Sequence, residues 1–283
     1  MKFNRLAIVI GSMKSGTTSL YQYLSCHPHI CNCKIKEPGF FAIYEEWQKG
    51  IDWYESLWDY NPRDHRCAME ASTHYSKIPI YLNAPEKMVT FPYDYRFLYI
   101  VRNPIERIES HLTMGIAQGW LINNTIGDIN SIPYPAVAYT RYAAQLRAYT
   151  KFFKKKDIFI IDFEDLKNQA EIVLEKICAF LELGQYQLEK EKISKIFNPS
   201  SDYPLAPPWL PKTFRHHTFK NLFFFLSNEG SFNLLRSLLW RKVGNKHRIR
   251  LNTDIKSILL EELRDDLKEL SQEWGIETQK WLS

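Results

Sequence analysis

A chain of 283 residues with 45% hydrophobic and 14% aromatic content can bury one sizeable core, so we expect residues 1–283 to form a single α/β domain with an elaboration. The formal net charge of +5 is modest, and no nucleic-acid partner is expected. No stretch approaches the roughly 20 apolar residues of a membrane span, and the first apolar run starts too close to Met1 to leave room for a signal peptide.

Five cysteines, an odd number, fit a reducing compartment better than a disulfide framework. We therefore expect a cytoplasmic protein, or a soluble domain of a longer one. Potential metal ligands crowd one segment, namely Cys26, His27, His29, Cys31 and Cys33. Their spacing is not that of a zinc knuckle and no second ligand pair follows, so no metal is expected.

Residues 6–25 combine an apolar, β-branched run, a loop that contains Gly11 and Gly16, and a segment of helical periodicity that Thr17 opens. This order predicts a buried strand, an anion-binding turn and a helix, because backbone N–H groups at a helix N-terminus attract phosphate. The glycine spacing matches the first half of a Walker A loop, but Thr17 stands where lysine is needed, and Lys14 lies inside the loop. The alternative is a turn that needs its glycines for geometry alone.

Residues 34–41 read Lys-Ile-Lys-Glu-Pro-Gly-Phe-Phe, and Pro38 restricts Glu37 to an extended conformation. A carboxylate is thus held on an irregular segment between lysines and phenylalanines. It is either a surface acid beside an aromatic anchor or a functional group. The aromatic-rich residues 51–60 predict a short helix on the sheet or the lining of an acceptor cleft.

Residues 66–71 predict a second strand that ends at Glu70. Polar candidates follow at its carboxyl end, where parallel sheets bind ligands: Ser72, Thr73, His74 and Tyr75. Residues 97–101 predict a buried strand with Arg102 directly after it, and Asn103-Pro104 predicts a helix start. Ser110 falls outside the apolar stripe of that helix, so it is either solvated or free to point at a ligand.

Further on, residues 119–135 predict a substrate-binding or lid loop, residues 136–153 a helix, 158–161 a strand and 172–184 a helix. The alternation predicts a P-loop-like parallel sheet with helices on both faces. Thr253 is expected to cap a long amphipathic helix that ends before Gly275.

Residues 199–250 form a proline-rich loop followed by a basic and apolar helical insertion near the C-terminus, with nine Lys/Arg and one acid between 212 and 250. Such a pattern is typical of a membrane-surface helix, a nucleic-acid patch, a lid beside an anionic ligand, or an amphipathic helix packed on the core. We retain a lid, an acceptor-side element or a peripheral membrane contact through 212–250. The sequence carries no signal for an oligomeric state.

Three motifs occur in the order seen in sulfotransferases that use 3′-phosphoadenosine-5′-phosphosulfate (PAPS). They are Gly-Ser-Met-Lys-Ser-Gly-Thr-Thr at 11–18, Lys-Glu-Pro-Gly-Phe-Phe at 36–41, and Tyr-Ile-Val-Arg-Asn-Pro-Ile-Glu-Arg-Ile-Glu-Ser at 99–110. The chain resembles that family over most of its length, and the second motif is similar to that of the bacterial and heparan-sulfate (carbohydrate) branch. Residues 162–166 and the C-terminal stretch from Trp274 to Trp281 support the resemblance.

The resemblance implies nucleotide binding without a metal. The 5′-phosphosulfate would be bound by Ser12, Lys14, Ser15, Gly16, Thr17 and Thr18, with Lys14 neutralising the departing phosphate. The 3′-phosphate would be bound by Arg102 and Ser110, and Lys246 and Arg248 match a basic loop that closes over the cofactor. Glu37 would be the general base toward a hydroxylated acceptor: a glycan, a glycolipid, or an acyl or polyketide alcohol.

Two departures bear on the acceptor. Glycan enzymes often carry lysine after the glutamate of the second strand and proline two residues later, whereas this chain has Ala71 and Thr73. His74 or His111 could therefore assist or replace Glu37. A P-loop kinase, for which Thr17 is wrong, and a non-catalytic phosphonucleotide-binding module are the alternatives.

Overall fold

The computed structural model describes residues 2–118, 120–121, 127–184, 204–205, 241–242 and 248–282. A parallel sheet of five strands lies at its centre: β1 (Arg5–Gly11), β2 (Ile30–Asn32), β3 (Cys67–Ala71), β4 (Asp94–Val101) and β5 (Ile158–Asp162). Their spatial order is β2-β3-β1-β4-β5. A separate antiparallel pair joins β6 (Pro204–Leu205) to β7 (Arg241–Lys242). Apart from residues 248–250, the rest of the predicted insertion lies outside the described residues.

The helices within the described part alternate with these strands. They are α1 (Thr17–Leu24), α2 (Tyr44–Trp47), α3 (Gly50–Ser56), α4 (Ala84–Met88), α5 (Pro104–Gln118), α6 (Tyr134–Ala138), α7 (Tyr142–Thr150), α8 (Phe163–Asn168), α9 (Ala170–Phe180) and α10 (Thr253–Trp274). Short 3₁₀ turns cover Thr73–Ser76, Ile129–Ser131, Lys155–Asp157 and Gln279–Trp281.

Strand β1 lies in the middle of the sheet and pairs with β3 on one side and β4 on the other. Its side chains alternate between two cores. Leu6 and Ile8 pack with residues of α5, α7 and α10, whereas Ala7 and Val9 pack with residues of α1 and α9. A strand buried on both faces needs a continuous apolar run. The predicted fold class, a parallel sheet with helices on both faces, is confirmed.

Three local predictions need correction. Residues 136–153 form two helices, because the Ala136 carbonyl accepts the Thr140 hydroxyl (2.8 Å) and an arginine instead of continuing the helical ladder. Asn252 caps α10 rather than Thr253: its side-chain oxygen accepts the Ile255 N–H at 2.9 Å. The second strand along the chain is β2, which pairs only with β3 and is too short to show a periodicity.

Gly11 ends β1 where the chain crosses closely over the 3₁₀ turn after β3. A Cβ on Gly11 would lie 2.0 Å from Ser76 Oγ, and that hydroxyl already donates to the Ile10 carbonyl at 2.6 Å. We expect Gly11→Ala to lower the free energy of unfolding by about 1–3 kcal/mol, measured by urea denaturation. Gly127→Ala is the control, because a Cβ there meets no described atom within 4 Å. Equal stability of both variants would contradict the close approach.

Candidate active site

The loop between β1 and α1 is fixed to the end of β4. The Ser12 N–H and hydroxyl both donate to the Ile100 carbonyl, at 3.0 and 2.9 Å, and Ser12 Oγ lies 2.7 Å from Ser15 Oγ. Gly16 precedes α1 in the left-handed region (φ 88°), and no side chain caps that helix. A Cβ on Gly16 would lie 3.0 Å from the Phe163 ring. The first-turn N–H groups of α1 therefore face the loop as potential anion donors.

Lys14 lies in this loop with a left-handed backbone (φ 75°). Burial, together with the positive charges of Arg102, Arg107 and Lys36, lowers the pKa of its ammonium to about 7, and Glu37 opposes the shift. Four cationic side chains thus gather around one loop, with the Glu37 carboxylate nearby and Glu106 paired with Arg102. An anion placed among them would relieve their mutual repulsion.

Two arginines hold the loop carbonyls. Arg102, one residue beyond β4, donates from Nη1 to the Lys14 carbonyl at 3.2 Å and from Nη2 to Glu106 at 2.7 Å. Its guanidinium lies 4.5 Å from the centre of the Phe163 ring. Arg107 is fully buried and donates to the Met13 carbonyl at 3.1 Å. The loop conformation therefore depends on both side chains.

Arg107 was not among the predicted site residues. It also donates to Thr140 Oγ1 at 2.8 Å and to the Ala136 carbonyl, so it links the loop to α6. Its only sequence signal is its place in the first turns of the helix that follows Arg102, five residues further along the chain. Burial, which distinguishes it from a solvated helix residue, comes from the packing of α5 against α6.

Ser110 lies on α5, two turns after Arg102, and is buried rather than solvated. Its hydroxyl has no hydrogen-bond partner among the described residues, and neither does the buried Nε of Arg248. The segment after Arg248 runs along α5: the Ile249 N–H donates to Thr113 Oγ1 (3.1 Å) and the Leu251 N–H to Glu109 (3.0 Å). Both orphaned groups therefore belong to the same flank of α5. Lys246 lies outside the described residues.

Glu37 has a left-handed backbone (φ 55°), not the extended one that the following proline predicts, and its side chain is 32% exposed. Thr73 Oγ1 donates to Glu37 Oε2 at 3.3 Å, and His74 Nδ1 lies 3.8 Å from the same oxygen. The neighbouring Lys36 ammonium donates to Thr18 Oγ1 at 3.0 Å. The Glu37 segment is thus held between the end of β3 and the start of α1, beside the glycine-bearing loop.

Lys77 is a second buried lysine that the sequence analysis did not single out. The residue is 8% exposed, and its ammonium makes no hydrogen bond or ion pair below 4 Å within the described part of the chain. Burial lowers the pKa of its ammonium to about 8, with Glu37 opposing the shift and Arg107 adding to it. Its position directly after the 3₁₀ turn that carries His74 brings it to the Glu37 side of the site.

His111 is enclosed by aromatic rings, with Tyr139 stacked at 5.9 Å and Trp120 edge-on at 5.6 Å between ring centres. Burial lowers the pKa of its imidazole to about 3, and the charges of Arg107, Lys14 and Lys77 contribute. The ring is therefore neutral throughout the physiological range. Its Nδ1 is buried without a hydrogen-bond partner among the described residues.

The described residues contain no group of three or more His, Cys, Asp or Glu side chains arranged to hold a metal ion. The five cysteines are free thiols. Within the same ranges, no helix has both the length and the apolar content needed to cross a bilayer.

The parallel sheet and the glycine-bearing loop define a P-loop-like α/β protein. The particular family follows from a family model described as "Sulfotransferase domain", which matches residues 5–221. The chain belongs to the sulfotransferase family.

The chain is similar to part of the sequence of several heparan sulfate sulfotransferases. The chain is 24% identical to mouse heparan sulfate glucosamine 3-O-sulfotransferase 3A1, covering 70% of this chain and 50% of that protein. It is 27% identical to mouse heparan sulfate glucosamine 3-O-sulfotransferase 5, covering 64% and 56%. It thus spans about half the length of these relatives. A sulfotransferase structure from Alicyclobacillus acidocaldarius shares the fold, with a TM-score of 0.64, 19% identity and 99% coverage of both chains.

Proposed function

We propose that this protein transfers a sulfuryl group from PAPS to a hydroxyl group of a glycan, lipid or other small metabolite. The gathering of Lys14, Lys36, Arg102 and Arg107 around a glycine-bearing loop carries the proposal. Burial is the main cause of the lowered pKa of Lys14, repulsion from the other three cations adds to it, and a polyanionic donor would relieve that repulsion. The donor supplies an activated sulfuryl group on a phosphate leaving group. The sulfuryl group carries less charge than a phosphoryl group, so a Walker lysine and Mg²⁺ are not required.

The polar groups present fit such a donor. The N–H groups and hydroxyls of the loop and of the first turn of α1 would bind the 5′-phosphosulfate with Lys14: Ser12, Ser15, Gly16, Thr17 and Thr18. The orphaned Ser110 hydroxyl and the orphaned Arg248 Nε would bind the 3′-phosphate together with Arg102. A buried polar atom without a partner costs free energy unless a ligand satisfies it, and both atoms lie along α5.

We assign the general base to Glu37, which would take the proton of the acceptor hydroxyl during attack on sulfur. Thr73 and His74 contact its Oε2 and would orient the carboxylate. Lys14 would offset the negative charge that builds on the departing phosphate. His111 is the weaker base, because burial lowers its pKa to about 3.

Retention on immobilised adenosine 3′,5′-bisphosphate tests the donor assignment. We expect the protein to bind this matrix and to be eluted by free adenosine 3′,5′-bisphosphate, but not by an equal concentration of ATP with Mg²⁺. Elution by ATP with Mg²⁺ alone would indicate a kinase-type site instead.

Arg102→Ala should weaken adenosine 3′,5′-bisphosphate about tenfold to a hundredfold, the size of a lost charge-assisted hydrogen bond, and adenosine 5′-phosphate much less. The reason is that the variant loses the contact to the 3′-phosphate, whereas the loop that would bind the 5′-phosphate loses the Arg102 bond to the Lys14 carbonyl but keeps the Arg107 bond to the Met13 carbonyl. Isothermal titration of both nucleotides measures the difference. Arg147→Ala is the matched control, since this exposed arginine pairs with Glu269 on α10. Equal weakening of both nucleotides by Arg102→Ala would remove the 3′-phosphate role.

The acceptor class rests on the named relatives, which act on heparan sulfate glucosamine, and we propose glycans first. Glycolipids and acyl or polyketide alcohols are the other hydroxylated candidates. A mass-spectrometric screen for products that gain one SO₃ unit in the presence of PAPS tests all of them together. The glycan proposal is wrong if SO₃ appears only on an acyl or polyketide alcohol.

A further inference from the structure

Glu70, the fourth residue of β3, carries a carboxylate that the proposed reaction does not use. The residue is fully buried. Its Oε1 accepts the hydroxyls of Tyr54 and Tyr75, the latter at 3.0 Å, and its Oε2 accepts the Ser72 hydroxyl at 2.6 Å. Among the described residues, no lysine or arginine pairs with it. Three hydroxyl donors alone satisfy this buried acid.

Two of these hydroxyls continue to the segment that carries Glu37. Ser72 Oγ accepts the Gly39 N–H at 3.0 Å, and the Tyr75 hydroxyl oxygen lies 3.5 Å from the Phe41 N–H that it accepts. Each hydroxyl has one proton, and an ionised carboxylate can only accept. The hydroxyls of Ser72 and Tyr75 therefore donate their hydrogen bonds to Glu70, and their oxygens remain available to accept the backbone N–H groups of the Glu37 segment.

The Glu37 segment needs such an anchor. A left-handed backbone at a residue other than glycine is strained, and Glu37 has a φ of 55°. Packing contributes as well, since the Phe40 ring stacks on Tyr54 at 4.5 Å and the Phe41 ring meets Tyr75 edge-on at 5.8 Å. The same two tyrosines thus connect the aromatic packing and the carboxylate of Glu70.

We infer that Glu70 is a positioning residue which, through the hydroxyls of Ser72 and Tyr75, holds the backbone from Glu37 to Phe41 and so aims the Glu37 carboxylate at the acceptor hydroxyl. The inference rests on the proposed role of Glu37 as general base. A protonated Glu70 would have to donate one hydrogen bond, which turns one hydroxyl proton away from it. When the accepting hydroxyl is that of Ser72 or Tyr75, the proton on Glu70 competes with the Gly39 or Phe41 N–H for the same oxygen.

The direction of the pH effect follows from burial, which raises the pKa of Glu70 to about 7, while the hydrogen bonds from Ser72, Tyr54 and Tyr75 oppose the shift and Glu37 adds to it. The ionised form that anchors the segment therefore gains population as the pH rises through about 7. The titratable groups that face Glu70 are Tyr21, Cys33, Glu37, Tyr54, Tyr75, Tyr95 and Tyr149.

Glu70→Gln tests the inference, because its amide must donate and mimics the protonated acid at every pH. We expect amide hydrogen exchange at Gly39 and Phe41, followed by NMR at pH 8, to accelerate at least tenfold. We expect kcat to fall about tenfold or more, with the Kd for adenosine 3′,5′-bisphosphate changed less than twofold. In the wild-type protein, the exchange rate of these amides, divided by the intrinsic base-catalysed rate at the same pH, should fall as the pH rises from 6 to 8. Glu70→Gln should not show this fall.

If Glu70→Gln does not fold, Ser72→Ala provides the test. This variant keeps the Glu70 carboxylate and removes the hydroxyl that links it to the Gly39 N–H. Tyr54→Phe is the matched control at pH 8.5, because the Tyr54 hydroxyl contacts Glu70 and not the Glu37 segment. Unchanged exchange at Gly39 in both folded variants would overturn the anchoring, and faster exchange with unchanged kcat would overturn the aiming of Glu37. A wild-type protein without sulfotransferase activity would overturn the proposed function, while the exchange data would still decide the anchoring.

Discussion

Replacing Glu37 with glutamine is expected to lower turnover by roughly two or more orders of magnitude, the contribution of a positioned general base. Affinity for adenosine 3′,5′-bisphosphate should stay nearly unchanged. Glutamine keeps the size of the side chain and can still accept the Thr73 hydroxyl, which donates to Glu37 Oε2 at 3.3 Å, but it cannot take up a proton. Initial rates of SO₃ transfer and a parallel calorimetric titration measure the two quantities.

The control for this variant is Glu45→Gln, a neutralised exposed acid at the start of α2. It changes the net charge equally but should leave turnover unaltered. If Glu37→Gln were fully active, the base would have to be sought elsewhere. His74, 3.8 Å from Glu37 Oε2, would then be the first candidate, and His74→Asn would show the loss instead.

The sheet was predictable from the sequence because its central strands are buried on both faces. The central strands β1 and β4 appear as continuous apolar runs, as does the edge strand β5, and Asn103 with Pro104 marks the start of α5 before any packing is known. The edge strand β2 has three residues and pairs with one neighbour, so its formation depends on β3. The break between α6 and α7 depends on Arg107, whose contact with the Ala136 carbonyl is tertiary.

The residues of the candidate site also fall into two groups: those that the sequence alone identifies and those that only the packing reveals. Lys14, Glu37 and Arg102 stand in contiguous motifs, so the sequence alone could name them. Arg107 and Lys77 are single basic residues whose importance comes from burial beside those motifs, and burial is set by the packing of distant segments. For the same reason the sequence could place Ser110 outside the apolar stripe of α5 but could not show that its hydroxyl is buried without a partner.

Lys14→Met should lower turnover by roughly a hundredfold or more, because charge placed where the leaving group develops its own charge is among the largest contributions to catalysis. Methionine keeps the aliphatic length, so the loop contacts of Arg102 and Arg107 to the Lys14 and Met13 carbonyls need not change. Lys34→Met is the matched control on an exposed lysine that pairs with Asp59. Undiminished turnover in Lys14→Met would separate this lysine from the leaving phosphate.

The pH dependence of binding gives a second, independent readout of Lys14. In the free protein, burial and then the neighbouring cations lower the pKa of its ammonium to about 7, whereas a bound phosphate favours the charged form and raises that pKa. Binding above pH 7 must therefore take up a proton, and the affinity for adenosine 3′,5′-bisphosphate should fall by up to roughly tenfold per pH unit between the free and bound pKa values. Lys14→Met should flatten this slope, while Lys34→Met, which removes an exposed lysine that pairs with Asp59, should leave it unchanged. An unchanged slope in Lys14→Met would mean that the lysine does not meet the anion, because a charged group in contact with a dianion cannot bind it without changing its own protonation equilibrium.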